Sequence, residues 1–332
     1  LPASIPPNPY RILPVHGARD LIASDGANLG DPLGPAEDLV AGDVYQLSIG
    51  AVCSSLVLSP CENGSFHVAP SSEVGRAGAA ITLDSCVTFM SPDGSVVEAL
   101  LLSEFRPGGS ICDIHIYPLA EMSPRSDYAI VAIDRDTAMT RFAETTCVSF
   151  TRGTHVTMAN GSQRAIEHLN TGDRILTRDH GVQPIRWIGR RTVRALGALA
   201  PIRIRKGALN NSRDLIVSPN HRLFVYQRKD RLGAGRAEVL VKASHLLDGD
   251  AVTRTCGGFV DYYQMLFDRH EIIYAEGIAA ETFLVDHTTR RALPLDVPVE
   301  SNAGESTYAI ELDHRHFRSE RATDLLRRAS IG

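Results

Sequence analysis

The chain has 332 residues, 43% of them apolar and 22% charged, with a formal net charge of −5. That length and composition fit two modest globular domains, and the mild negative charge gives no reason to expect nucleic acid or an anionic membrane as a partner. No uninterrupted apolar run approaches the length needed to cross a bilayer.

The opening residues, Leu-Pro-Ala-Ser-Ile-Pro-Pro, include no charged-then-apolar signal segment, so the sequence assigns no compartment. Residues 1–35 are rich in Pro, Gly and Asp without periodicity and are expected to form an irregular arm. A small β domain is expected over 36–134. Its short apolar runs, bounded by turn residues, read as strands: Val44 to Ile49, Ser55 to Leu58, Ala80 to Leu83, Cys86 to Met90, Val96 to Leu102, Ile111 to Leu119 and Tyr128 to Ile133. Ser91-Pro-Asp-Gly-Ser95 should turn one hairpin, because proline presets a dihedral and glycine accepts positive φ. His67 and His115 stand alone among strand residues and are expected to be structural. Residues 135–146 are polar and read as an accessible linker.

From Cys147 the turns come quickly. Asn160-Gly161 is a strong hairpin signal, and further strands follow at Arg174, Pro184, Pro201, Asp214, Arg222, Glu238, Ala251, Val260 and Glu271. Leu169-x-x-Gly-Asp173 and Leu246-x-x-Gly-Asp250 share a pattern, as does Leu39-x-x-Gly-Asp43 in the first domain. That pattern is either a trace of internal repetition or a turn that opens strands. Residues 287–332 read as a tail whose end, Phe317 to Arg328, has the pattern of an amphipathic helix. The six cysteines at 53, 61, 86, 112, 147 and 256 show no Cys-x-x-Cys spacing. All but Cys147 are expected to be small buried hydrophobes.

Cys147 would be the first residue of the second module. A thiol there can attack the carbonyl just before it, splitting one hard acyl transfer into two easier ones. The departing amide nitrogen needs a proton, which a histidine can supply. Val217-Ser-Pro-Asn-His221 offers one. Cys147 with Gly153-Thr154, then Asn160-Gly161, Leu169-x-x-Gly-Asp173 and Ser218-Pro-Asn-His221, resembles the Hint family of hedgehog autoprocessing domains and inteins. It resembles in particular the bacterial Hint-containing proteins, in which such a module follows an unrelated N-terminal domain.

The resemblance covers 147–286 and implies an all-β, horseshoe-like fold with two pseudo-symmetric halves, making the whole chain mainly β. It implies an N-to-S acyl shift from Thr146 to Cys147, with His221 protonating the leaving nitrogen. The Ser218 hydroxyl, where relatives usually carry threonine, would hold that nitrogen or the imidazole. Asp268 and His270, in a late segment that also matches, are candidate helpers. No cofactor or metal is implied; His270-Glu271 lacks the second histidine of a zinc protease, Tyr274 standing in its place.

Splicing would need His-Asn near the end of the module, where Glu281-Thr282 stands instead. The expected outcome is cleavage at Thr146–Cys147 alone, with water, a thiol or an amine resolving the thioester. Two other classes remain open. One is a catalytically silent Hint scaffold serving as a structural or surface domain; the other is a hydrolase acting in trans through Cys147, His221 and Asp268.

Overall fold

A computed structural model describes residues 10–61, 65–226, 238–286, 288–294, 297 and 310–312, side chains at 225–226, 238 and 310–312 excepted. The chain divides into two compact units, Leu1–Glu144 and Thr145–Gly332.

Among its described residues the first unit carries nine strands: β1 (Arg11–Gly17), β2 (Leu21–Asp25), β3 (Val44–Leu47), β4 (Ser54–Pro60), β5 (Phe66–Val68), β6 (Ala80–Met90), β7 (Val96–Phe105), β8 (Ile111–Pro118) and β9 (Asp127–Asp134). They hydrogen-bond in the order β2-β3-β9-β6-β5-β4-β1-β8-β7, and β7 pairs back onto β6. That last pairing closes β6-β5-β4-β1-β8-β7 into a barrel, which leaves those six strands without an open edge. Leu13, Leu56, Leu58, Phe66, Ile81, Leu100 and Leu102 are buried there. The Ser91–Ser95 turn joins β6 to β7 as its residues suggest, with Gly94 at φ 79° and its N–H donating to Ser91 O.

Two expectations fail in this unit. The arm expected over 1–35 contains β1 and β2, and β1 sits between β4 and β8 as a barrel stave. Its Leu13 and Val15 are buried, a pattern too short to stand out among the surrounding prolines and glycines. The supposed linker ends in a helix, α1 (Ala138–Thr146), started by Asp134, whose carboxylate accepts the N–H groups of Asp136 and Thr137 at 2.9 Å each. Phe142 of α1 packs edge-on against Phe66, ring centroids 5.2 Å apart. His115 is structural as expected, buried with its Nε2 3.0 Å from the Glu104 carboxylate.

Among its described residues the second unit is mainly β. Its strands are β10 (Phe150–Thr151), β11 (His155–Thr157), β12 (Gln163–Ala165), β13 (Arg174–Leu176), β14 (Val182–Pro184), β15 (Trp187–Arg194), β16 (Ile202–Ile204), β17 (Leu215–Val217), β18 (Arg222–Tyr226), β19 (Glu238–Lys242), β20 (Val252–Arg254), β21 (Phe259–Leu266), β22 (Ile272–Ala275), β23 (Ile278–Glu281) and β24 (Ile310–Leu312). One sheet runs β15-β21-β10-β17-β16-β20, a second β12-β11-β22-β23-β18-β19-β24, and β13-β14 forms a small third. They enclose one core around Phe150, Val156, Ile175, Ile202, Val217, Leu223, Val241, Met265 and Ile273. Asn160-Gly161 turns the β11–β12 hairpin.

The three Leu-x-x-Gly-Asp segments behave alike in both units. Gly42, Gly172 and Gly249 all take positive φ just before β3, β13 and β20, so the pattern opens strands rather than marking a repeat. The tail is no mere appendage, since β24 runs parallel to β19 and extends its sheet. The helix expected over Phe317 to Arg328 lies outside the described residues. The cysteines also depart from expectation: Cys53 and Cys256 are exposed, Cys61 and Cys112 half-buried, and Cys147 is among the buried ones with Cys86.

Candidate functional site

α1 ends at Thr146, and the chain then passes through Cys147 and Val148 to Ser149 and β10. Cys147 is only 2% exposed, packed with Leu266, Phe283, Val285, Leu293 and Val297, with Trp187 alongside. Thr145 and Thr146 are buried too. The bond expected in an accessible connection is therefore enclosed. Burial is tolerable because the segment's carbonyls find donors. Asn220 Nδ2 donates to Thr145 O at 2.5 Å, and Ser218 Oγ donates to Cys147 O at 3.2 Å.

Both donors come from the turn between β17 and β18. Strand pairing of β10 with β17, Phe150 opposite Val217, brings that turn against residues 145–149. Ser218 and Ser149 exchange bonds there: Ser218 N–H donates to Ser149 O at 2.9 Å, and Ser149 N–H to Ser218 Oγ at 3.0 Å. The Ser218 hydroxyl thus braces the main chain downstream of the Thr146–Cys147 bond, rather than holding the leaving nitrogen or the imidazole.

His221 is 0% exposed, with its ring edge-on to Phe150 at 4.4 Å between centroids. Its Nδ1 lies 3.2 Å from Ser149 O. A carbonyl only accepts, so Nδ1 carries the proton and Nε2 holds the lone pair in the neutral ring. Nε2 is buried with no hydrogen-bond partner among the described residues. Burial is the main reason the imidazole's pKa falls to about 4, with the Glu281 charge and the main-chain carbonyls of Ser149 and Glu281 working against it. At neutral pH this histidine is a base.

The two late candidates part company. Asp268 lies on the surface, its side chain 58% exposed, with both oxygens on Arg186 at 2.6 Å. That hydrogen bond holds its carboxyl below the usual range. None of its contacts runs to His221, and it supplies no third member of a triad. His270 is buried, its Nε2 3.3 Å from Glu281 Oε2. Glu281 itself is wholly buried, bound by the Arg222 main-chain N–H at 3.0 Å and by Arg222 Nε at 2.6 Å. Its pKa is lowered to about 2: burial pushes it up, but the Arg222 charge and the His270 bond outweigh that. Sequence reasoning missed Asn220 and Glu281. Asn220 lies within the Ser218–His221 motif, but nothing local signals its partner. Glu281 registers in the sequence only as a missing His-Asn.

The family description "Hint domain" matches residues 148–287, beginning one residue after Cys147. The chain contains a Hint domain. Ser218, His221, Asp268, His270 and Glu281 all fall within it, and β10 to β23 form it. Among solved structures, a crystal structure of a DnaB intein from Synechocystis sp. PCC 6803 is similar at 11% identity and a TM-score of 0.28, covering 41% of this chain and 98% of that one. No curated protein matches.

Proposed function

We propose that the Hint domain cleaves its own chain at Thr146–Cys147, once per molecule, through a thioester on Cys147. The observation carrying this reading is His221, a wholly buried neutral imidazole with Nδ1 fixed on Ser149 O and an open lone pair on Nε2. Nε2 accepts the Cys147 thiol proton, and the sulfur attacks the Thr146 carbonyl carbon. The proton then passes to the Cys147 nitrogen as the C–N bond breaks. Atoms and charge balance: a peptide bond and a thiol become a thioester and an amine. Asn220 holds the preceding carbonyl, so the Thr146 peptide enters the reaction with its upstream neighbour fixed. Water, a small thiol or an amine then resolves the thioester. With Glu281-Thr282 near the end of the domain, no side-chain cyclisation follows, and the chain divides without splicing.

A second reading draws on the burial of Thr146 and Cys147. An enclosed bond with satisfied neighbours also suits a Hint scaffold that serves as a structural or surface domain without cleaving.

Intact mass of the full chain after incubation at neutral pH, with and without hydroxylamine, separates the two. Fragments divided at Thr146–Cys147 in the native chain, absent from Cys147→Ala and His221→Ala, support the acyl shift. A native chain left whole by hydroxylamine supports the silent scaffold.

A further inference from the structure

His221 is fixed along its main chain as well as at its ring, and one of the groups fixing it is a buried carboxylate. Its own N–H donates to Ser218 O at 3.0 Å, and the next amide, Arg222 N–H, donates to Glu281 Oε1 at 3.0 Å. The Arg222 guanidinium closes on the same carboxylate, Nε to Oε1 at 2.6 Å and Nη2 to Oε2 at 2.5 Å. His270 Nε2 stands 3.3 Å from Oε2 on the other side. The pairing of β18 with β23, Leu223 opposite Ala280, sets Glu281 beside residue 222.

As a stability device this cluster is inefficient. Removing charges from water carries a large penalty that apolar side chains would not incur. Buried ionic groups next to a histidine with perturbed protonation are instead a mark of functional sites.

We propose that Glu281 is a positioning residue for His221: its carboxylate anchors the His221–Arg222 peptide and makes a proton on the imidazole tolerable. The proposal deepens the acyl-shift reading and rests on it for its purpose, since His221 must hold a proton between the thiol and the leaving nitrogen. The charges acting on the ring are Glu281 from β23, which favours that proton, and Arg222 from β18, which opposes it. His270, just before β22, faces the carboxylate. Binding Arg222 to Glu281 keeps the opposing cation from acting alone.

The test is the titration of the His221 ring by NMR in the full chain, made uncleavable by Cys147→Ala. Glu281→Gln should lower the proton affinity of His221 by on the order of tenfold. Arg222→Gln, which leaves the carboxylate without its cation, should raise it. A purely structural cluster would move both variants the same way. In the cleavable chain, Glu281→Gln should slow thiol-induced cleavage in parallel. Should Glu281→Gln not fold, Arg222→Gln still decides by the sign of its shift. A His221 titration that is unmoved, or shifted alike in both variants, overturns the proposal whatever the cleavage rate. Opposite shifts in a chain that never cleaves uphold the coupling and overturn the acyl-shift reading instead.

Discussion

The side-chain amide of Asn220 donates to the carbonyl of Thr145 at 2.5 Å, one residue upstream of the proposed scissile bond. The two residues are 75 positions apart and meet because the pairing of β10 with β17 brings the β17–β18 turn against residues 145–149. Asn220→Ala should leave the fold intact and slow cleavage by up to about tenfold, the scale of one hydrogen bond. Cleavage time courses followed by intact mass, beside a thermal melt, check this. An unchanged rate would reduce the bond to packing.

Ser218 should matter to stability first. Its hydroxyl both donates to Cys147 O and accepts from Ser149 N–H inside the protein. Ser218→Ala removes both of these bonds, and the expected loss is about 1–3 kcal/mol in chemical denaturation. Ser218→Thr keeps the hydroxyl and should recover most of it.

Asp268 gives the opposite expectation. It is exposed and spends both oxygens on Arg186. Asp268→Asn should change the cleavage rate by less than about twofold, as befits an exposed ion pair. A large loss would restore the triad of Cys147, His221 and Asp268.

Acid should destabilise the Hint domain in two overlapping windows. Folded His221 resists a proton down to about 4, whereas the unfolded side chain takes one near 6.5. The unfolded state therefore binds more protons in between, and stability falls as pH drops through that range. Glu281 works lower. Its carboxyl titrates at about 2 when folded against 4.5 when unfolded, so the stability it contributes is complete above 4.5 and lost as pH falls toward 2. Urea denaturation of the Cys147→Ala chain across pH should show the first slope. His221→Gln should remove that slope from the Hint domain.

Much of the architecture follows from the sequence alone, because its signals are local. Alternating apolar residues with Gly and Pro punctuation mark the strands, Asn160-Gly161 and Ser91–Ser95 mark their hairpins, and Ser218–His221 stands as a motif. Cys147 and His221 are legible on that basis as candidates. The tertiary structure decided what depends on distant parts of the chain meeting. Barrel closure needs β7 to return to β6 and draws β1 out of a stretch that looks irregular. Asp268 and His270 lie two residues apart, yet one is exposed on Arg186 and the other buried against Glu281. The role of Glu281 depends on the β18–β23 pairing, which brings it to Arg222 across 59 positions. A charge reads the same in sequence whether it ends in water or in the core, and only the fold fixes its surroundings and hence its chemistry.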